Sequence, residues 1–431
     1  MNCRLLLLLS ALLTASHIMA QTPALTAEAC RRMALEQNKK IRAAQYQVEA
    51  ATAAQQAVAA SAYPSVDGSL LGAYLGKPIG GAMGGLIPEY MGSAAVTATQ
   101  AIYAGGKIRL GKAAAGKAIS IQSAQKELTS AEVLLNADKA YWQVVQVKEK
   151  IILAGRYQEM LQALHTELKN AYEAGLIYKN DLLRVEVSLN EAALNITRAN
   201  DGLIMAKLVL AQITGMPGQT DFAVADSVTG DFSELTGSPA IQAATQRPEI
   251  KMLENILDAE TLQKKILQSD FLPAIGITAS GNGALGKRIN FSNGKDYMAT
   301  WYGLASVSIP IFDWGKRSRK IQEQSLRIAA QQQQLEDTKE LINLEVQQSW
   351  LALNQSVKKI KTSTLSLSQA EENVRLATDR FKAGTTTGKD VLEAQAIWQQ
   401  AYSNVIDSKA EYRVNEAVYR KVTGEVRLGS E

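Results

Sequence analysis

The chain has 431 residues, 46% of them apolar and 20% charged, with 46 Lys and Arg against 42 Asp and Glu. A formal charge of +4 is too small to point to nucleic acid as the main partner. Aromatics stand at 6% while Ala and Gln are abundant, so a thick globular core is not expected, and the length admits two or three ordinary domains or one elongated one.

The first element is MNCRLLLLLSALLTASHIMAQ, with Arg4, an apolar run from Leu5 to about Ala15 and small residues before Gln21. It reads as a signal peptide over 1–20, cut after Ala20, and its apolar run is too short to span a bilayer as a mature helix. Cys3 and His17 leave with it. The mature chain keeps Cys30, expected as a small packed side chain on a helix, and His165, which alone cannot form a two-histidine metal site.

The first repeat, 21–217, opens on a helix and continues with strands at about 64–75 and 94–103. Next comes GGKIRLGKAAAGK at 105–117, where Gly106, Gly111 and Lys112 fit the spacing of a phosphate-binding loop, as do Gly111, Gly116 and Lys117. Neither match carries the Ser or Thr that would hold magnesium, and no alternation of buried parallel strands and helices surrounds it. The stretch is therefore read as a joint leading into a helix, and no catalytic, cofactor-binding or metal-binding residue is assigned. A long helix follows at about 106–174. Between Gly116 and Gly175 it meets only Gly155, and Ile121, Leu128, Leu135 and Trp142 recur every seven residues, which predicts coiled-coil packing. YEAGLIYKNDLLRVE then makes a turn at Gly175, with Asp181 near the start of a helix at about 180–214.

After a linker at 218–238, the second repeat, 239–431, reproduces this order at an offset of 209 residues. Gly175 corresponds to Gly384, Asp181 to Asp390, Tyr63-Pro64 to Leu272-Pro273, Tyr141 to Trp350 and Thr214-Gly215 to Thr423-Gly424. A helix, strands at about 271–280 and 300–312, a long helix at about 315–383 and a helix at about 389–423 are expected. From Lys316 to Ala383 there is no Gly and no Pro, and Val346, Leu353, Ile360 and Leu367 continue the seven-residue period. At 1.5 Å per residue such a helix extends roughly 100 Å. The result is two long antiparallel hairpins.

The clearest strand is TWYGLASVSIPIF. Trp301, Ala305, Val307, Ile309 and Ile311 alternate with Tyr302, Ser306 and Ser308, which suits a tilted strand that crosses a membrane. Tyr74, Tyr90, Tyr297 and Trp301 are expected at one end of the strands, and Tyr63, Tyr103, Phe271, Phe312 and Trp314 at the other. Gly-rich loops are expected at about 76–92 and 281–298. Four strands cannot close on themselves and open edges are not tolerated in lipid, so several chains must share one barrel. Lys107, Arg109 and Lys112, with Lys316, Arg317, Arg319 and Lys320, follow the strands at once and are expected at lipid head groups.

The duplicated strand pairs and helical hairpins, the Tyr-Pro and Leu-Pro strand openings, the YEAGLIYKNDLL and FKAGTTTGKDVL turns and the Thr-Gly pairs together resemble the TolC-type outer-membrane efflux proteins over essentially the whole mature chain. The resemblance implies a mainly α fold with membrane β: a homotrimer whose 12-stranded outer-membrane β-barrel continues into a long periplasmic α-helical barrel. It implies an exit duct of a tripartite efflux pump for drugs or other small molecules, or of type I protein secretion. Its partners would be a periplasmic adaptor, an inner-membrane transporter and outer-membrane lipid, with no cofactor and no catalysis. By position, Asp390, Glu393 and Phe381 match residues at the periplasmic mouth of the pore, and Thr386 stands where the best-known members have a gating arginine. Threefold crowding of Asp390 and Glu393 is expected to raise their pKa values. The hairpin tips, with Gly175, Asp181, Gly384 and Asp390, are expected to dock the adaptor, and the two glycines to leave little room for a side chain. A trimeric surface adhesin would instead carry its strands at one terminus, and a soluble coiled-coil adaptor would lack lipid-facing strands.

Overall fold

A computed structural model describes residues 24–76, 89–230, 232–237, 239, 246–290 and 292–425. The segment expected as a signal peptide, with Cys3 and His17, and most of the loop expected at 76–92 lie outside them. The chain divides into two compact units, Met1–Arg42 with Thr129–Arg247 and Ile342–Glu431, and Ala43–Leu128 with Pro248–Leu341.

The first unit contains β1 (Ala24–Leu25), α1 (Ala27–Gln37), α4 (Lys179–Thr214), β4 (Ala223–Val224) and α7 (Gly388–Val422), together with the C-terminal parts of α3 (Lys107–Glu173) and α6 (Lys316–Lys382). β1 and β4 pair in parallel, so the segment expected as a linker supplies a strand and buries Phe222, Val224 and Val228. The surrounding core is formed by Cys30, Tyr141, Val144, Val145, Leu210 and Trp398. Tyr141 is fully buried, and its hydroxyl lies 2.5 Å from Asp226 Oδ2 and 3.0 Å from the Leu25 carbonyl. Burial and this carboxylate raise its pKa. A buried phenol needs such partners, and here they tie β1 and the β4 segment to α3.

α3 and α6 are each continuous over 67 residues, as a run without internal Pro permits. In α6 the predicted seam is the packed one, with Val346, Leu353 and Ile360 buried. In α3 the predicted seam is packed only at Trp142. Ile121, Leu128 and Leu135 are half-buried, and the fully covered line is Val133, Ala137, Tyr141 and Val144. Tyr141 is held in this line by its hydrogen bonds, which a count of apolar residues does not register.

The second unit holds α2 (Lys39–Ala60, from its residue 43), α5 (Pro248–Gln268) and one antiparallel sheet. Its strands are β2 (Ser65–Tyr74), β3 (Tyr90–Ala104), β5 (Ala274–Gly286) and β6 (Tyr297–Ser308), in the order β2-β3-β5-β6. β6 ends at Ser308, so Ile309 and Ile311 lie outside the sheet. Pro310 has no N–H to donate to a ladder. The Gly-rich stretch expected as a loop from 281 is strand as far as Gly286, with Gly281 opposite Trp301 and Gly283 opposite Ala299. Backbone pairing continues across these glycines, so the ladder persists as far as Gly286. Trp301 is consequently mid-strand and not at an end. The remaining loop is pinned by Asp296, which accepts the Arg288 N–H at 2.7 Å. No described helix is long and apolar enough to cross a membrane.

Candidate functional site

The register of the sheet sorts its side chains onto two faces. One row runs Asp67, Thr97, Ser280, Tyr302, flanked by Ser65, Thr99, Thr278, Leu304 and by Ser69, Ala95, Asn282, Thr300. The intervening rows, on the opposite face, run Val66, Ala98, Ala279, Gly303, then Gly68, Val96, Gly281, Trp301, then Leu70, Ala94, Gly283, Ala299. Ile275 and Ile277 lie on this second face, opposite Val307 and Ala305. One face is thus hydroxyl- and amide-rich, the other aliphatic and aromatic. On the polar face Thr97 and Ser280 share a hydrogen bond of 3.0 Å. Asp67 is the one charged side chain among the described residues of these four strands. Every residue of β6 is exposed, with Trp301 at 82%. An aliphatic face of this kind is unstable against water and stable against hydrocarbon. At the strand ends Tyr74 and Tyr90 are cross-strand partners with ring centroids 4.8 Å apart.

The two helical turns close in the same way. Gly175 (φ 75°) and Gly384 (φ 72°) are left-handed, and the next amide bonds back across the turn, Leu176 N to Ala171 O at 2.8 Å and Thr385 N to Arg380 O at 2.9 Å. A Cβ added at either glycine would meet nothing within 4 Å. The expectation of little room is therefore corrected: the constraint is the backbone angle, not space. A steric limit does exist four residues on, at Gly388, where a Cβ would lie 2.6 Å from Leu168 Cδ2.

Beyond the turns the repeats diverge. In the second, Asp390 Oδ2 accepts the Thr386 hydroxyl at 2.5 Å, the Thr387 hydroxyl at 2.7 Å and the Thr387 N–H at 2.9 Å. This capping arrangement, led by the Thr386 hydroxyl, pulls its pKa down to about 2. Within the chain the shift is thus opposite to the rise expected from like charges. Glu393 is exposed one turn further along α7. Phe381 is half-buried against the cluster of Leu164, Leu168, Leu182, Val185 and Val391. In the first repeat Tyr178 takes the cap position without a side-chain bond, Asp181 is half-buried in the first turn of α4, and Leu176 and Tyr178 are 77% and 83% exposed. His165 Nε2 lies 3.4 Å from Glu186 Oε1.

The basic residues after the strands are not equivalent. Lys107 is ion-paired with Asp270. Arg317 pairs with Asp313 at 2.8 Å and lies 5.4 Å over the Phe271 ring, and Arg319 donates to Gln322 at 2.8 Å. Lys316 and Arg109 are exposed. Gly111 and Gly116, of the phosphate-loop spacing, are inside α3, where an added Cβ would meet Val58 at 3.5 Å and Gln55 at 3.2 Å. Lys117 bonds Asp258 at 2.8 Å and Asn255 at 3.2 Å. These glycines serve helix contact, not a loop.

The sequence reading missed Asp67, Gly388 and the Tyr141–Asp226 pair. The first had a signal, a lone charge inside an alternating strand. Gly388 had a weaker one, since 209 positions earlier the first repeat has Lys179.

The family described as "Outer membrane efflux protein" matches residues 31–216 and 241–425, one stretch in each repeat. Outer membrane protein TolC of Escherichia coli is 22% identical over 325 residues, which cover 72% of this chain and 64% of that protein. Alkaline protease secretion protein AprF of Pseudomonas aeruginosa is 22% identical over 290 residues, covering 66% of this chain and 59% of its own length. The chain thus spans about three fifths of the curated relatives it matches. A crystal structure of CusC, described in terms of transmembrane channel formation, superposes with a TM-score of 0.79 at 17% identity, covering 93% of this chain and 92% of that one.

Proposed function

Because this chain belongs to the outer membrane efflux protein family, we propose that it is the outer-membrane exit duct of a tripartite efflux pump, a passive conduit for drugs or other small molecules. The observation that carries this reading is the two-faced sheet: four strands with an aliphatic and aromatic face, a polar face with the single carboxylate of Asp67, and long helices leading away from its ends. β2 and β6 are edge strands, and edges in hydrocarbon would strand unpaired N–H and C=O groups at several kcal/mol each. Three copies that join β6 to the next β2 remove every edge and make a 12-stranded barrel, with the polar face toward a water-filled lumen and the other toward lipid. The long helices would extend the conduit through the periplasm. The tips, with Gly175, Asp181, Gly384 and Asp390, would meet a periplasmic adaptor that links the duct to an inner-membrane transporter. The exposed Leu176 and Tyr178 of the first tip suit an apolar anchor, and Asp390 and Glu393 would set the charge of the mouth.

Thiol accessibility tests the reading, since Cys30 is 1% exposed and adds no background. In isolated outer membranes, Asp67→Cys should react with a charged, membrane-impermeant thiol reagent, and Val66→Cys, one residue along and on the other face, should not. Labelling of Val66→Cys with protection of Asp67→Cys would overturn it.

A further inference from the structure

Where β3 passes into α3 the surface holds a groove of ≈ 820 Å³, whose lining includes Tyr63, Ile102 and Tyr103 together with Lys107, Arg109 and Lys112. Its apolar wall is open to solvent, with Tyr63 at 74% and Ile102 at 58% exposure. Of the cations, Lys107 is held by Asp270. Arg109 and Lys112 are exposed and have no ion pair among the described residues. Three apart on one helix, they share a face and repel one another unless an anion lies between them.

The second repeat makes this arrangement specific. At the positions 209 residues on, Arg109 is replaced by Ser318 and Lys112 by Ile321, and the basic residues that remain there include Arg317, spent on Asp313 and Phe271. The pair Arg109 and Lys112 thus has no residue-for-residue counterpart at the second junction, where the exposed cations are Lys316, Arg319 and Lys320.

We propose that this groove is a binding site for one anionic glycerophospholipid, with its phosphate between Arg109 and Lys112 and the glycerol and first acyl carbons against Tyr63, Ile102 and Tyr103. A free phosphate would satisfy the cations and leave the apolar wall wet; a lipid covers both. The inference rests on the reading that the strands lie in the outer membrane, because only then does the groove open at head-group depth. The occupant would fix the angle at which strand gives way to helix.

Native mass spectrometry of the detergent-purified, assembled protein with added phosphatidylglycerol tests it. The parent should retain one lipid per chain. Arg109→Gln with Lys112→Gln should bind it about 30-fold more weakly, taking each cation near a lipid surface as a separate contribution, and Lys316→Gln with Lys320→Gln, an equal charge change at the other junction, should bind as the parent does. Equal loss in both double variants would reduce the effect to net charge and overturn the site. Displacement of the lipid by an equal concentration of inorganic phosphate would overturn the lipid assignment. Asp67→Cys labelled and Val66→Cys protected, together with no lipid retained by the parent, would sink the groove and leave the duct standing.

Discussion

Gly388 is the residue at which the helical tip is least forgiving. In Gly388→Ala the new methyl would sit 2.6 Å from Leu168 Cδ2 and 3.1 Å from Cδ1. Leu168 is 1% exposed and packs with Leu164, Leu182, Val185 and Val391, so it cannot swing into solvent. Overpacking of this kind costs about 1–3 kcal/mol. The competing effect has the opposite sign, since Ala in a helix is favoured over Gly by up to about 1 kcal/mol. The packing cost should win, and the tip should open more often. Hydrogen exchange of the Leu176 and Thr385 amides, which close the two turns, reports that opening. In Gly388→Ala the net cost of up to about 2 kcal/mol should make both exchange up to about 27-fold faster, at 1.4 kcal/mol per tenfold. Leu168→Ala alone should also accelerate exchange, by a cavity cost of about 2–5 kcal/mol. In the double variant the added methyl occupies part of the vacated space, so the effects should fall short of additive by about 1 kcal/mol or more. Slower exchange in Gly388→Ala, or strict additivity with Leu168→Ala, would refute the packing argument.

Three further outcomes follow from the geometry. Asp390 has its folded pKa lowered to about 2, below the roughly 3.9 of an unfolded aspartate; its contribution is therefore full above about pH 4 and lost as pH falls through about 2. Exchange of the Thr385 amide, normalised for intrinsic rate, should rise across that window, and Asp390→Asn should abolish the dependence. Cys30 is buried, and burial, followed by Asp138 and Asp226, pushes its thiol up to about 11; iodoacetamide at pH 8 should leave it unmodified until the protein is denatured. Tyr141→Phe removes the hydroxyl from Asp226 and the Leu25 carbonyl, a loss of about 1.5–3 kcal/mol for a bond to a charged group, and should speed exchange of the Ala225 amide, which bonds Leu25 O.

Periodicity and duplication carried most of the architecture. A 67-residue helix without breakers has few alternatives, and the repeat sets both hairpins in register with each other. Alternation found the strands, yet it misjudged where they end, because the controlling groups are local: the missing N–H of Pro310, and the backbone pairing that carries β5 through Gly281 and Gly283. The buried line of α3 was only partly legible, since Tyr141 takes its place in it through hydrogen bonds to Asp226 and the Leu25 carbonyl, which do not scale with hydrophobicity. At the candidate site, residue identity was legible and commitment was not. Asp390 and Arg317 stood out as charges, but only three-dimensional placement shows Asp390 bound to Thr386 and Thr387, and Arg317 to Asp313 and Phe271. The same limit separated Arg109 and Lys112 from Lys107 and Arg317, which are paired with Asp270 and Asp313.

The duct reading stands or falls most directly on conductance. Purified, assembled protein added to a planar lipid bilayer should insert and give steady, cation-selective steps, and Asp390→Asn with Glu393→Gln should weaken the selectivity while leaving insertion unchanged. Protein that enters the bilayer, as judged by protection from protease, and yet passes no ion current would contradict the account.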